Sequence, residues 1–293
     1  METTALGKTG LQVSRLGAGL AEIGALDDLS TASRVLNAAL DGGINFLDTS
    51  PWYGKSEEWI GRSIAHRRHE YVLATKGGHD ADGHESEQWT AKVVLDSIER
   101  SLKRMQTDYL DLVQLHSCGL EVLERGKVIQ ALLDARRAGK TCYVGYSGNL
   151  KGARWVIDSG MFDTIQITFS LVDQWARWDV LLKAEAAGMG VIAKRPIANA
   201  AWGAPASPDP VREEYRQKAQ AMIDMGPIRR APEDPILLAL GFVLAHLEID
   251  TAIVGTANPA HMKVNSALVE SELPIPAEVV RELHRRFDQM ARR

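Results

Sequence analysis

Four side chains in the first half of the chain could carry acid–base chemistry together: Asp48, Tyr53, Lys76 and His116. A tyrosine hydroxyl titrates near pH ~10, so alone it is a poor proton donor at neutral pH. An ammonium beside it stabilises the phenolate and brings the hydroxyl toward the working range. A carboxylate next to that lysine keeps it charged and holds its direction. An imidazole can then hydrogen-bond a substrate oxygen and help polarise it. Such a quartet is suited to handing a proton to an oxygen. Ser147, Gln166 and Lys194 are further polar residues at comparable places along the chain.

For these residues to meet, the chain must bring distant segments side by side. Short β-type runs occur at Val13–Gly19, Ile44–Asp48, Tyr71–Lys76, Tyr109–His116, Thr141–Ser147, Thr164–Thr168, Gly190–Lys194 and Thr251–Gly255, each followed by helical spacing. One helix carries Val94, Ile98, Leu102 and Met105, another Leu237, Leu240, Leu244 and Leu247, and the last Val279, Leu283, Phe287 and Met290. Ser30 and Thr90 are placed as N-caps, and Gly42, Gly139 and Gly188 as residues just past helix ends. Eight β-α alternations without a break in composition predict one (β/α)8 barrel over residues 1–293. A doubly wound open sheet is the competing fold, but no Gly-x-Gly-x-x-Gly follows an early strand. In a barrel, side chains at the C-terminal strand ends face one mouth. Asp48, Lys76, His116, Ser147, Gln166 and Lys194 all end proposed strands, and Tyr53 lies in the loop after the second.

Residues 1–13 read as a small hairpin set against the N-terminal end of the barrel. The long connection 198–235 holds a helix around Glu213–Ile223 and is expected to cover the mouth as a lid.

Composition narrows the partners. The chain has 293 residues, 45% of them hydrophobic, and a formal net charge of -4. No basic excess points to nucleic acid or an anionic membrane surface. Apolar runs such as Pro235–Ala245 are too short to span a bilayer. The N-terminal residues carry no secretory signal pattern, and two cysteines, Cys118 and Cys142, make no disulfide framework, so a reducing cytoplasm is expected.

Longer motifs sharpen the reading. Leu6-Gly7-Lys8-Thr9-Gly10-Leu11-Gln12-Val13-Ser14 opens the chain, and Gly43-Ile44-Asn45-Phe46-Leu47-Asp48-Thr49-Ser50-Pro51-Trp52-Tyr53-Gly54 follows. Then come Ala74-Thr75-Lys76 and Asp108-Tyr109-Leu110-Asp111-Leu112-Val113-Gln114-Leu115-His116. In order and in placement on strands these resemble the aldo-keto reductase superfamily. The resemblance implies that Asp48, Tyr53, Lys76 and His116 form the family's catalytic tetrad. It also implies hydride transfer from a reduced nicotinamide to a small carbonyl compound, with Tyr53 protonating the oxygen.

By the same resemblance, Ser147 and Gln166 hold the carboxamide of the cofactor. The family's Ser-Asn pair reads Ser147-Gly148 here, with Asn149 as a candidate substitute. The usual nicotinamide-stacking aromatic is replaced by Lys194, followed by Arg195 and Pro196. Gly255-Thr256-Ala257-Asn258-Pro259 matches a bacterial-type adenosine-phosphate turn leading into a helix N-terminus, which suits phosphate. His261 stands where an arginine often reads the 2′-phosphate, and Asn265 matches the adenine contact. NADP(H) is favoured on the family pattern, and NAD(H) remains possible.

Blander readings compete with these. A lone buried Asp or His is more often structural, although four matched positions weigh against that here. Trp52 either lines a substrate pocket or packs under its loop; Trp202 either belongs to the lid or simply packs. Trp155, Trp175 and Trp178 are read as packing, and Cys118 is not marked as a nucleophile. The run His79–Glu85 invites a metal but reads better as a solvated loop, so no metal is expected. Two other function classes stay open: a cofactor-binding regulatory or structural barrel with little turnover, and a barrel hydrolase or lyase.

Overall fold

The computed structural model describes residues 1–79 and 88–292. A two-stranded antiparallel hairpin, β1 (Thr3–Ala5) and β2 (Gln12–Ser14), precedes eight parallel strands that close into a barrel. The barrel strands are β3 (Leu16–Gly19), β4 (Phe46–Asp48), β5 (Val72–Gly77), β6 (Leu110–His116), β7 (Thr141–Ser147), β8 (Thr164–Thr168), β9 (Gly190–Lys194) and β10 (Thr251–Gly255). They run in chain order around the barrel, and β10 closes on β3. The surrounding helices begin with α1 (Ala21–Gly24), α2 (Leu29–Asp41), α3 (Ser56–Ile64), α4 (Ala91–Met105), α5 (Leu120–Arg125) and α6 (Lys127–Arg137). They continue with α7 (Leu150–Ser159), α8 (Val180–Ala186), α9 (Pro210–Ile223), α10 (Pro235–Leu244), α11 (Pro259–Ser271) and α12 (Ala277–Ala291).

The strands are short and apolar because both of their faces are covered. Outward residues such as Leu47, Leu73 and Val113 join the main core beneath the helices. Inward residues Phe46, Val72, Ala74, Leu112, Ile192 and Ile253 pack with Leu6 and Val13 of the hairpin into a second cluster that closes the barrel floor. The hairpin is fastened there by Lys8 N donating to Gly188 O at 2.7 Å and by Tyr143 Oη donating to Thr9 O at 2.6 Å. The floor is therefore solid, and polar strand ends can open only at the other face.

Local corrections have clear causes. The expected run Val13–Gly19 is two elements, because the chain turns at Arg15. Its guanidinium reaches the carbonyl oxygens of Ile249 and Leu244, tying the hairpin to the start of β10. The N-cap of α2 is Asp28, whose carboxylate accepts from the backbone of Ser30 and Thr31; Ser30 lies inside the helix. Thr90 does cap α4, accepting from Val93 N. The left-handed residue after α2 is Gly43, at φ +77°, rather than Gly42. Leu247 lies beyond α10 and is 83% exposed, so the apolar stripe ends at Leu244. Among the described residues no helix is long and apolar enough to cross a membrane. None of them gathers into a cluster able to hold a metal. Of the His79–Glu85 run, the residues from Asp80 on lie outside the described ones.

Candidate active site

The strand register sets the polar ends next to one another. Lys76 lies opposite Gln114, His116 opposite Ser147, and Ser147 opposite Gln166. Asp48, at the end of β4, is the hub. Its Oδ2 accepts from Lys76 Nζ at 2.6 Å, and its Oδ1 accepts from Gln166 Nε2 at 2.8 Å and Gln114 Nε2 at 3.1 Å. Lys76 donates again to Thr49 O at 2.9 Å. Burial works against the Lys76 ammonium, but Asp48 and Tyr53 together outweigh it and raise its pKa above the ordinary lysine value.

Tyr53 enters from the loop after β4, with Lys76 Nζ 4.8 Å from its ring centroid. That loop presses against α1 at Gly24, where a Cβ would stand 1.8 Å from Tyr53 O, so only glycine permits the approach. Lys55 N donates to Gly24 O at 3.0 Å and Ser56 Oγ pairs with Thr49 Oγ1 at 2.8 Å, fixing both ends of the loop. Beneath it, buried Glu57 accepts from Thr75 at 2.8 Å and Ser101 at 2.6 Å, locking α3 to β5 and α4.

His116 stands edge-on to Tyr53, with ring centroids 5.8 Å apart, and its Nδ1 pairs with Ser50 Oγ at 3.3 Å. Burial, with Lys76, His79 and Lys194 adding like charge, pushes its pKa down to about 2, so the imidazole is neutral. Ser147 Oγ donates to Gln166 Oε1 at 2.7 Å and accepts from Lys194 Nζ at 3.4 Å.

These groups line one cleft of about 830 Å³ at the C-terminal mouth. Asp48, Tyr53, His116, Ser147, Gln166, Lys194, Arg195 and Pro196 border one part of it, and Gly255, Thr256, His261 and Asn265 border the other. Lys76 lies beneath, bonded to Asp48. Two expected cofactor residues do not line it. Asn149 caps α7, accepting from Gly152 N at 2.9 Å, and Asn258 caps α11, accepting from Ala260 N at 2.9 Å. Gly148 cannot be replaced by the larger residue of the usual pair, because a Cβ there would stand 2.1 Å from the Tyr146 hydroxyl. Trp52 is half exposed outside the cleft, its ring 4.7 Å from that of His79, which in turn lies 5.1 Å from His116. Trp202 is partly buried against the core and does not line the cleft either.

Sequence reasoning passed over several neighbours. Gln114 sits two residues before His116 on the same face of β6, and strand alternation alone could have shown it. Glu22 had no such signal; it lies in the short helix α1 that follows β3 and places its carboxylate against Gly255. Arg212, from the start of α9, also lines the cleft.

A family model for the aldo/keto reductase family matches residues 15–285. The chain belongs to that family. It is similar to an L-galactose dehydrogenase of Arabidopsis thaliana, 30% identical over 92% of this chain and 88% of that protein. The aldo-keto reductase YhdN of Bacillus subtilis is 36% identical over 50% of this chain and 47% of its own length. The solved holo form of a Bacillus halodurans aldo-keto reductase superposes with a TM-score of 0.82, at 25% identity, covering 98% of this chain and 96% of that one. This reductase is therefore an NAD(P)H-dependent oxidoreductase acting in carbonyl reduction.

Proposed function

We propose that this reductase converts an aldehyde or ketone to an alcohol with Tyr53 as the proton donor, using NADP(H) with a modest preference and NAD(H) as a second cofactor. The observation that carries the reading is the buried Lys76–Asp48 pair set under the Tyr53 ring at the cleft wall. A phenol placed over a lysine that stays charged can release a proton to a carbonyl oxygen and hold the resulting negative charge. Asp48 keeps the ammonium charged, and its two glutamine donors fix its plane. Neutral His116 presents a ring nitrogen that directs the carbonyl oxygen toward Tyr53, with Ser50 holding the other nitrogen.

The residues fit a nicotinamide dinucleotide. Ser147 and Gln166 offer a hydroxyl and an amide beside Tyr53, matching the donor and acceptor of a carboxamide. The other end of the cleft is backbone from Gly255 to Ala257 running into the N-terminus of α11, which suits a diphosphate. Bound there, the reduced cofactor supplies the hydride. Asn265, His261 and Thr256 would hold the adenosine end, where His261 Nδ1 pairs with Thr256 Oγ1 at 3.4 Å. Asn199, Ala200 and Arg212 border the cleft from the 198–235 segment, which would act as its lid over one domain. Arg286 of α12 donates to Met222 O at 2.7 Å and pins the end of α9. Unpaired Cys118 and Cys142 fit a reducing cytoplasm.

The test is Tyr53→Phe, assayed on a panel of carbonyl compounds with both cofactors. Reduction should fall roughly 10²-fold or more while cofactor binding persists. Near-normal turnover would remove Tyr53 from the role. Binding without turnover in the unaltered protein would favour a regulatory barrel instead.

A further inference from the structure

Lys194 borders the inner cleft, and the proton-transfer argument makes no use of its ammonium. It ends β9, half-buried, and donates only a long hydrogen bond to Ser147 Oγ, at 3.4 Å. Among the described residues it forms no ion pair with a carboxylate. Asp48, the acid whose charge reaches it, is already neutralised by Lys76 at 2.6 Å. Arg195 adds a second positive charge, although its guanidinium turns to Tyr215 of α9, with Nη1 3.3 Å from the hydroxyl. His116 is neutral. The inner end of the cleft thus carries a net positive charge centred on Lys194.

That end is also where the redox ring must lie, on the reading proposed above. A hydride donor has to come within about 3–3.5 Å of a carbonyl carbon whose oxygen faces Tyr53. Ser147 and Gln166, which line the same cleft as Tyr53, match a carboxamide, and Lys194 hydrogen-bonds Ser147. The ring changes charge in the reaction: it is neutral when reduced and positive when oxidised.

We propose that the Lys194 ammonium makes the site discriminate against the oxidised, positively charged nicotinamide ring, so that this reductase holds the reduced cofactor more tightly and is biased toward carbonyl reduction and release of the spent cofactor. Two unit charges about 5 Å apart repel by a factor between roughly fourfold in water and a few hundredfold at an effective dielectric constant of about 20. An effect on the order of tenfold is therefore expected in the ratio of dissociation constants, oxidised over reduced. Phosphates, ribose and adenine are common to both forms and cancel in that ratio.

The charge should also be removable. Burial, with Lys76 and Arg195 adding like charge and Asp48 opposing them, pulls the Lys194 pKa down to about 8. Lys76 is held charged above the ordinary lysine value, so it contributes no change near that pH.

The experiment measures dissociation constants of NADPH, NADP⁺, NADH and NAD⁺ by calorimetry from about pH 6.5 to about pH 9.5, repeated in a Tyr53→Phe background that removes the hydroxyl beside the ring. The oxidised-to-reduced ratio should fall by roughly tenfold as pH rises through about 8. Lys194→Met should give the low ratio at every pH, and Lys194→Arg the high ratio at every pH. A Lys194→Met protein with an unchanged ratio, or with both forms weakened equally, overturns the proposal and makes Lys194 an ordinary contact. If no form of either dinucleotide binds the unaltered protein, the cofactor reading itself falls, and this inference with it.

Discussion

Replacing Asp48 by Asn separates what the buried pair does for stability from what it does for chemistry. Both side chains of the pair are at most 2% exposed, and their charged atoms are 2.6 Å apart. Asparagine can keep accepting from Gln114 and Gln166 through its one oxygen. Its amide nitrogen then faces the Lys76 ammonium, donor against donor, and the lysine retains only Thr49 O. Breaking a buried pair from one side costs about 3–5 kcal/mol.

The pH dependence follows from the direction of the shifts. In the unaltered protein Lys76 is raised above its ordinary value, so its contribution is fully present below pH ~10.4 and is lost only above that. Without Asp48, burial dominates and the folded pKa drops below the unfolded one. The unfolded chain then binds more protons, so the variant gains stability with rising pH. Its deficit should therefore shrink between about pH 6 and about pH 9, by no more than about 1.4 kcal/mol per pH unit.

Urea unfolding of Asp48→Asn, Lys76→Met and the double variant at both pH values measures this directly. The double variant should recover most of the lost stability, because replacing a whole buried pair is often neutral, with a coupling of at least about 2 kcal/mol. On the proposed role of Tyr53, all three should still lose roughly 10²-fold or more in carbonyl reduction, since each disrupts the charged pair set under its ring. A deficit under about 1 kcal/mol in Asp48→Asn, or a double variant as unstable as the sum of the singles, would refute the argument.

Further outcomes can be checked separately. Glu22→Gln should tighten dinucleotide binding several-fold by removing a carboxylate that rests on Gly255, and His261→Arg should tighten NADPH over NADH; titrations of both cofactors would show each. Asn149→Ala should cost about 1 kcal/mol in thermal or urea unfolding by uncapping α7, with cofactor affinity unchanged. His246 and His284 face each other with Nε2 atoms 3.0 Å apart, and burial lowers both, His284 to about 4. The fold binds them neutral, so their contribution is present above pH ~6.5 and is lost as pH falls. His284→Gln should flatten that acid limb by roughly 1 kcal/mol, solvent screening included, in unfolding measured against pH.

Much of this architecture was legible because strand periodicity and helix spacing are local signals. Seven of the eight barrel strands fall where their apolar runs predicted, and the polar residues that end them do converge on one mouth. What escaped depends on distant partners. Nothing near Arg15 announces that its side chain will reach the carbonyls before β10 and so split a single β run into two. Asn149 looked able to replace a missing amide until the helix behind it claimed its oxygen. Glu22 lies in the four-residue helix α1, too short to carry a periodic signature, and only barrel closure, bringing β10 beside β3, carries Gly255 up to it. Leu247 kept helical spacing past the point where the helix stops, since spacing alone does not mark an end.

The ring of Tyr146 has a consequence for how this chain can change. Its hydroxyl fills the volume that a side chain at 148 would need and equally the volume at 152, while donating to Cys118 O at 3.2 Å. Neither glycine can therefore mutate on its own; a larger residue at either place collides with a phenol that is itself anchored. Tyr146 would have to shrink first, and that step leaves a hole under α7 before any new contact exists to fill it. The three positions form a ratchet. A Ser-Asn pair here therefore needs Tyr146 and position 148 to change together, and a single substitution at either place costs stability before it adds a cofactor contact.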